Sequence, residues 1–431
     1  MPTTYTCANA TQTEVQYWID YASNGDTVQI PANTYDAWTS ITINKAITLK
    51  GTSTAAPANP AKGAGVSTTI IGVTGASNSF VITKQAAGSV VIRDLYMETS
   101  SGGAGNKPIL VEGSWTAYPV IFFNNNIATS GKTLVECTVP GGTIWSHNTL
   151  DGDHNTGPMT VKDATDSHGS WTTNSTMGSD DTTGLNNHYF EDNIVTGMSN
   201  GIFDADDGCR IVSRYNDLTH GFMNSHGRDT SAYGLRHFEL YENTYSNGDQ
   251  FGDTTGCNPP SYDQCRVNIP QAIWIRGGTG VVYNNDITFG PGNFGTCYVV
   301  RINARAYGQP TLSAIGKTCA TIAYPEANQP GQGWLNGAQI TDPIYFWGNT
   351  GSWTNAESDD FGNGWNDCSN PWSTFFQWGR DAFNPGLTGG TAKPGYTAYT
   401  YPHPYITALI AADGGSPPPA ATSILLSQVC L

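Results

Sequence analysis

The chain has 431 residues, 50 of them glycine, with only 13% charged residues and a net charge of −16. So acidic a balance excludes non-specific nucleic-acid binding, which needs cations to displace phosphate counterions. No apolar run approaches the ~20 residues of a transmembrane helix, so membrane insertion is not expected. Asn, Thr, Ser and Gly stand where a cytosolic enzyme has Lys, Glu and Leu, which points to short strands and tight turns. A chain of this length is read as one domain, because a solenoid grows without a domain break.

In chain order, Met1-Pro2-Thr3-Thr4 shows no signal peptide and reads as an initiator on a mature secreted sequence. Residues 14–22 form a short amphipathic helix, and residues 25–35 and 41–51 read as the first strands and turns of a solenoid. A helix over the open end would protect the unpaired edge. Ser89-Val90-Val91-Ile92-Arg93-Asp94-Leu95-Tyr96-Met97 and Phe238-Glu239-Leu240-Tyr241 alternate as strands do.

An asparagine then recurs behind an aromatic or apolar residue and before an apolar one. Examples are Phe123-Asn124-Asn125-Asn126-Ile127, Phe190-Glu191-Asp192-Asn193-Ile194 and Tyr241-Glu242-Asn243-Thr244-Tyr245. With Asn126, Asn148, Asn193, Asn216, Asn243, Asn285 and Asn349 as markers, the steps are 22, 45, 23, 27, 42 and 64. They read as one, two, one, one, two and three units of about 22 residues, the length of one coil of a parallel β-helix. Asparagines at one turn of successive coils would stack as a hydrogen-bonded ladder. A β-propeller needs blades of ~40 residues, which the short steps disfavour.

Six of the twelve tryptophans lie between Trp334 and Trp378 and are read as part of a C-terminal cap. Gly414-Gly415-Ser416-Pro417-Pro418-Pro419 reads as a linker. The expected organisation is 1–40, N-terminal cap and first coil; 41–350, parallel β-helix; 351–412, C-terminal cap; 413–431, Pro-rich tail. The nine cysteines suggest an oxidising compartment. Cys257 with Cys265 and Cys297 with Cys319 are candidate disulfides, though spacing does not fix connectivity. No C-x-x-C pair exists, so structural zinc is not expected.

The entry Gly25-Asp26-Thr27-Val28-Gln29-Ile30-Pro31 with Ile41-Thr42-Ile43-Asn44-Lys45 resembles the pectate-lyase-like superfamily. So do Asp204-Ala205-Asp206-Asp207-Gly208, Arg214-Tyr215-Asn216, His226-Gly227, Arg276-Gly277-Gly278 and Tyr401-Pro402-His403-Pro404. The likeness spans roughly residues 10–410 and is nearest to secreted bacterial parallel β-helix repeat proteins. It implies an all-β, right-handed parallel β-helix and a secreted or cell-surface monomer. For activity it is weak, because the superfamily holds lyases, hydrolases, epimerases, esterases and fibres.

Eight of the ten arginines lie between Arg210 and Arg305, and no lysine lies between Lys162 and Lys317. Arginine without lysine suggests planar recognition of carboxylate or sulfate, hence an anionic polysaccharide partner. Several of these arginines are equally able to pair with nearby acids and hold turns. Arg210, Arg228, Arg301 and Arg305 are the candidate substrate-binding residues. Register from the markers sets Asp204, Asp206 and Asp207 beside His226 and Arg228 on neighbouring coils, with the extra residues of that coil looping out over 225–234. A polysaccharide lyase needs a base for the proton α to a uronate carboxylate and a cation to neutralise that carboxylate. His226 is the candidate base, Arg236 and Arg276 the neutralising cations, and Asp204, Asp206 and Asp207 the candidate Ca²⁺ ligands.

The alternative is a glycoside hydrolase with Asp206 and Asp207 as paired carboxylates. Their order with His226-Gly227 and Arg276 is similar to that of polygalacturonases. The Arg-x-Lys of those enzymes is missing here, and Asp180-Asp181 is only a weak second Asp motif. A non-catalytic glycan-binding or cell-surface module is the third reading. His147, His154, His168 and His188 are read as ladder or turn residues.

Overall fold

Strands of three to five residues with alternating burial can hide their apolar side only by stacking on copies of themselves. The computed structural model describes residues 1–32, 37–52, 70–75, 79–101, 108–114, 116–129, 135–139, 141–156, 159–161, 184–198, 202–206, 208–219, 223–225, 234–246, 271–289, 298–302, 318, 320–321, 324–325, 329–335, 338–353, 355–359 and 376–415. Among them lie three long parallel sheets. The first has twelve strands, from Thr4–Thr6 to Ala382–Phe383. The second has ten, from Ala37–Trp38 to Thr350–Trp353, and the third ten, from Ile41–Ile43 to Asn355–Asp359. The chain visits them in rotation. Val90–Arg93 enters the first sheet, Tyr96–Ser101 the second and Ile109–Glu112 the third, and Val120–Phe123 then pairs on Val90–Arg93. The all-β parallel solenoid read from the sequence is therefore the architecture.

Alternation fills the interior. In the first sheet one inward file runs Ile92, Phe122, Trp145, Phe190, Ser213, Leu240, Val282 and Phe346, each level with the next. All are buried, and Phe122 stacks on Trp145 at 3.7 Å. Like side chains meet like because successive coils lie one strand spacing apart, about 4.8 Å.

The asparagine ladder stands at the turn from the first sheet to the second. Asn125, Asn148, Asn193, Asn216, Asn243, Asn285 and Asn349 are joined by side-chain bonds of 2.9–3.0 Å. Each Oδ1 from Asn148 onward also accepts the backbone N–H of the rung below, at 2.9–3.1 Å. The residue before each asparagine has positive φ, from 52° at Asn284 to 62° at Gly348. This left-handed step aims the asparagine inward. His147 holds one of these steps, with φ 59°, as the turn role read from the sequence requires.

Two expectations are corrected. The first rung is Asn125, not Asn126. Asn126 instead opens a strand of the second sheet opposite Thr149. Three consecutive asparagines hide which one follows the left-handed step. The long marker steps are also single coils, not two or three. Asn148 bonds directly to Asn193, Asn243 to Asn285, and Asn285 to Asn349. Insertions lengthen individual turns, which a solenoid tolerates because lengthening a loop adds little closure entropy.

At the N-terminal end, helix α1 (Gln12–Tyr21) sends Val15 and Ile19 into the core. Its Gln16 side chain pairs with the outermost strand of the third sheet as another strand would. Nε2 donates to the Thr42 carbonyl at 3.0 Å, and Oε1 accepts the Thr42 N–H at 2.8 Å.

The outward side of the first sheet is apolar as well, with Val91, Ile121, Ile144, Tyr189, Val212 and Val281 buried. Residues 393–413 cover it, running back from late coils to early ones. Lys393 pairs with Asp342 at 2.5 Å, Tyr396 donates to Glu239 at 2.8 Å and Tyr401 to Asp192 at 2.6 Å, and Asp413 reaches Arg93 at 2.6 Å. Helix α2 (Pro404–Ala412), capped by the His403 side chain, buries Ile406 and Ile410 on this face. Each burial stabilises by about 1.5–3 kcal/mol.

Candidate functional site

Arg214, of the sequence cluster, is wholly buried, and it is structural. Its Nε and Nη2 donate to Glu191 Oε2 at 2.9 and 2.7 Å, and Nη1 donates to the Tyr241 hydroxyl at 2.8 Å. The carbonyls of Tyr399 and Thr400 complete its shell at 2.9 Å. Burial pushes the Glu191 carboxyl up, against the opposing effect of Arg214. Together the two groups pin the C-terminal segment.

The third sheet holds a different set of level positions. Paired register sets Thr42, Val81, Leu110, Glu136, Thr160, Asp204, Asn224, Trp274, Arg301 and Ser358 level from coil to coil. Asp204 is flanked by buried Phe203 and Ala205, Trp274 by Ile273 and Ile275, and Arg301 by Val300 and Ile302. Strict alternation therefore turns all three outward. The Arg301 guanidinium lies 4.7 Å from the Trp274 ring centre and that of Arg276 lies 4.2 Å from it. Arg276 is 3% exposed. Its N–H donates to Ser225 Oγ at 2.9 Å, its Nε to the Ser225 carbonyl, and Ser225 Oγ to the Trp274 carbonyl at 2.8 Å. Two guanidiniums on one indole are pre-oriented and partly desolvated, which strengthens their hold on an oxyanion.

The sequence candidates divide as follows. Asp204, Arg276 and Arg301 share this region. Asp206, two residues beyond Asp204, is buried and bridges Gly234. Arg236 is wholly buried in the turn before the strand His237–Tyr241, its N–H bonded to the Cys209 carbonyl at 3.1 Å. Arg210 opens a strand of the first sheet, opposite His237. Asp207, His226, Arg228 and Arg305 lie outside the described residues, as do Cys257, Cys265, Cys297 and Cys319. Asp204 pairs with Asn224 and Ala205 with Ser225 on the next coil, while the expected neighbours His226 and Arg228 lie outside the described residues. Sequence reading missed Trp274. The signal was there, in Ile273-Trp274-Ile275-Arg276, where period-two alternation puts Trp274 and Arg276 on one face.

Among the described residues no group of three or more His, Cys, Asp or Glu side chains converges as a metal site. Ca²⁺ takes six to eight oxygens, of which Asp204 and Asp206 could supply a part, and Asp207 lies outside the described residues. Histidines with resolved shifts are held neutral. Burial pushes His147 down to about 4, and burial with Lys84 nearby pushes His188 down to about 3. Burial, with Arg214 adding to it, pushes His403 down to about 3. None of these three carries a proton near neutral pH.

Comparison with protein-family models, with curated proteins and with solved structures finds no match to this chain.

Proposed function

We propose that the protein is a secreted, monomeric, carbohydrate-active β-helix that binds an acidic, uronate-containing polysaccharide along the exposed face of its third sheet and cleaves it by β-elimination. The observation that carries this reading is the grouping of Trp274, Arg276 and Arg301 one coil step from Asn224 and two from Asp204. Cations covering the indole suit an oxyanion better than a neutral sugar ring. In this reading Arg301, the more exposed guanidinium, neutralises the uronate carboxylate as charge builds on it, and Arg276 orients the indole and its partner. His226, which follows Ser225 in the chain, is assigned as the base. Right-handed winding is part of the proposal, since parallel crossovers are right-handed in nearly all proteins, and α1 acts as the N-terminal cap.

The test is incubation of the full chain with pectate, alginate and glycosaminoglycans, with and without a Ca²⁺ chelator, following ultraviolet absorbance of unsaturated products beside reducing ends. Unsaturated product that disappears in Arg301→Ala is expected, with polymer affinity reduced about 10- to 100-fold. Reducing ends without unsaturation would overturn the lyase reading in favour of a hydrolase. Binding without any product would leave a glycan-binding module.

A further inference from the structure

The N-terminal helix carries a second aromatic group, far in sequence from Trp274 and opposite to it in chemistry. Tyr17, Trp18 and Tyr21 of α1 join Tyr5 of the first strand. Tyr5 and Trp18 stack at 5.2 Å and pack against the core. Tyr17 and Tyr21 do not. They are parallel within 16° at 6.2 Å, and Tyr21 stands edge-on to both Tyr5 and Trp18. Their exposures are 56% and 61%, in a chain that otherwise leaves only Met1 and Tyr118 exposed as large apolar side chains among the described residues. Shielding the end of the core explains Tyr5 and Trp18 but leaves Tyr17 and Tyr21 unexplained.

Two carboxylates flank these rings. Glu14 takes the Trp18 indole N–H at 3.0 Å and the Ala8 N–H at 3.0 Å, and its carboxyl is held below the usual range by those two bonds. Asp20 takes the Gln16 amide at 2.9 Å. The nearby cation, Lys45, is turned to the helix C-terminus, where Nζ donates to the carbonyls of Ile19 at 3.3 Å and Ala22 at 2.8 Å, and to that of Asp20. Among the described residues no guanidinium or ammonium lies over these four rings, in contrast to Trp274.

We infer that Tyr17 and Tyr21 form a second glycan-binding surface, separate from the third-sheet site, that takes neutral polysaccharide. Open aromatic faces match the C–H faces of sugar rings, and carboxylate acceptors match sugar hydroxyl donors. An anionic polymer is repelled by Glu14 and Asp20. The inference does not depend on cleavage at the other site.

The experiment is affinity electrophoresis of the full chain in gels holding xyloglucan, galactomannan or mixed-linkage β-glucan, with polygalacturonate as the charged comparison. The Tyr17→Ala/Tyr21→Ala double variant is expected to lose retardation by at least one neutral polymer, with affinity down about tenfold or more. Its melting curve should be unchanged, and Arg301→Ala should bind neutral polymer as the parent does. No retardation of the parent by any neutral polymer, or equal retardation of the double variant, would overturn the inference. So would a concentration-dependent dimer lost in the double variant, which would make a second copy of the chain the occupant.

Discussion

Lys84 offers the sharpest quantitative test of how this fold treats charge. It follows the strand Phe80–Thr83 of the third sheet, is 5% exposed, and has the Gly141 carbonyl as its hydrogen-bond acceptor at 3.2 Å. Burial alone pushes its ammonium down from 10.5 to about 8. That gap corresponds to about 3 kcal/mol. Between the two values the unfolded chain binds the proton that the folded chain has released, so stability rises with pH there and is lost again as pH falls through the folded value. Of the total, about 2 kcal/mol should be regained between about pH 7 and about pH 9.5. Buried thiols act the other way. Cys7 and Cys137, pushed up by burial to about 12, keep their protons in the fold while the unfolded chain loses them, which lowers stability above about pH 9. The comparison with Lys84→Met removes that shared effect, because methionine has similar reach and no charge. Denaturant unfolding of both proteins across this range should show Lys84→Met ahead by about 2–3 kcal/mol near neutrality, with its advantage shrinking by about 2 kcal/mol at the alkaline end. Parallel stability curves for the two proteins would refute the assignment of a buried, charged lysine.

Asn216→Leu tests the ladder. Leucine is sterically acceptable, since Leu95 holds the equivalent position below the first rung, where its N–H donates to Asn125 Oδ1 at 3.1 Å. The substitution strips the Asn193 backbone N–H of its acceptor and the Phe190 carbonyl of a donor. A loss of about 3 kcal/mol in unfolding free energy is expected, and a loss below about 1 kcal/mol would mean the rungs do not act through buried satisfaction. Arg214→Met leaves Glu191 buried beside the C-terminal segment and should cost about 3–5 kcal/mol. Limited proteolysis should then cut within residues 393–413, and adding Glu191→Leu should restore most of the loss. Equal sensitivity of the single and double variants would show that the ion pair does not hold the segment.

Much of the architecture was legible because a solenoid writes its repeat into the sequence. Asparagine behind an aromatic at coil spacing marks a left-handed step followed by a buried amide, and the structure puts that pair at every ladder rung from Asn125 to Asn349. The spacing misled where turns carry insertions, because residue count measures contour length and the ladder measures stacking. The outer partner of the first sheet was not legible at all. Residues 393–413 contact coils up to 320 positions earlier, as Arg93 with Asp413 shows, and no local pattern encodes such a distance. The arginine cluster mixed two populations for the same reason. Arg214 and Arg301 look alike in sequence. Burial of one against Glu191 and outward placement of the other beside Trp274 come from register, which a single motif does not reveal.

The three outward faces differ in what each offers the acidic polymer proposed above. The first face is apolar and is already covered by residues 393–413, with Arg214 paired to Glu191 and Arg93 to Asp94 and Asp413. The second face is open but carries the wrong charge for an anionic ligand. One of its files runs Tyr96, Asn126, Thr149, Ile194, Asp217, Thr244, Asp286 and Thr350. The other holds Glu98, Ala128, Asp151 and Thr196, then Thr219, Ser246, Thr288 and Ser352. Neither file contains a cation, so an anionic chain laid there would meet carboxylates with nothing to offset them. Among the described residues, the third face carries Arg276 and Arg301 held beside the Trp274 indole. On a chain of net charge −16, a short positive stretch within an otherwise repelling surface would also set where along the solenoid the proposed polymer settles. That stretch spans the coils of Trp274 and Arg301, and Asp204 marks where the acidic part of the file resumes.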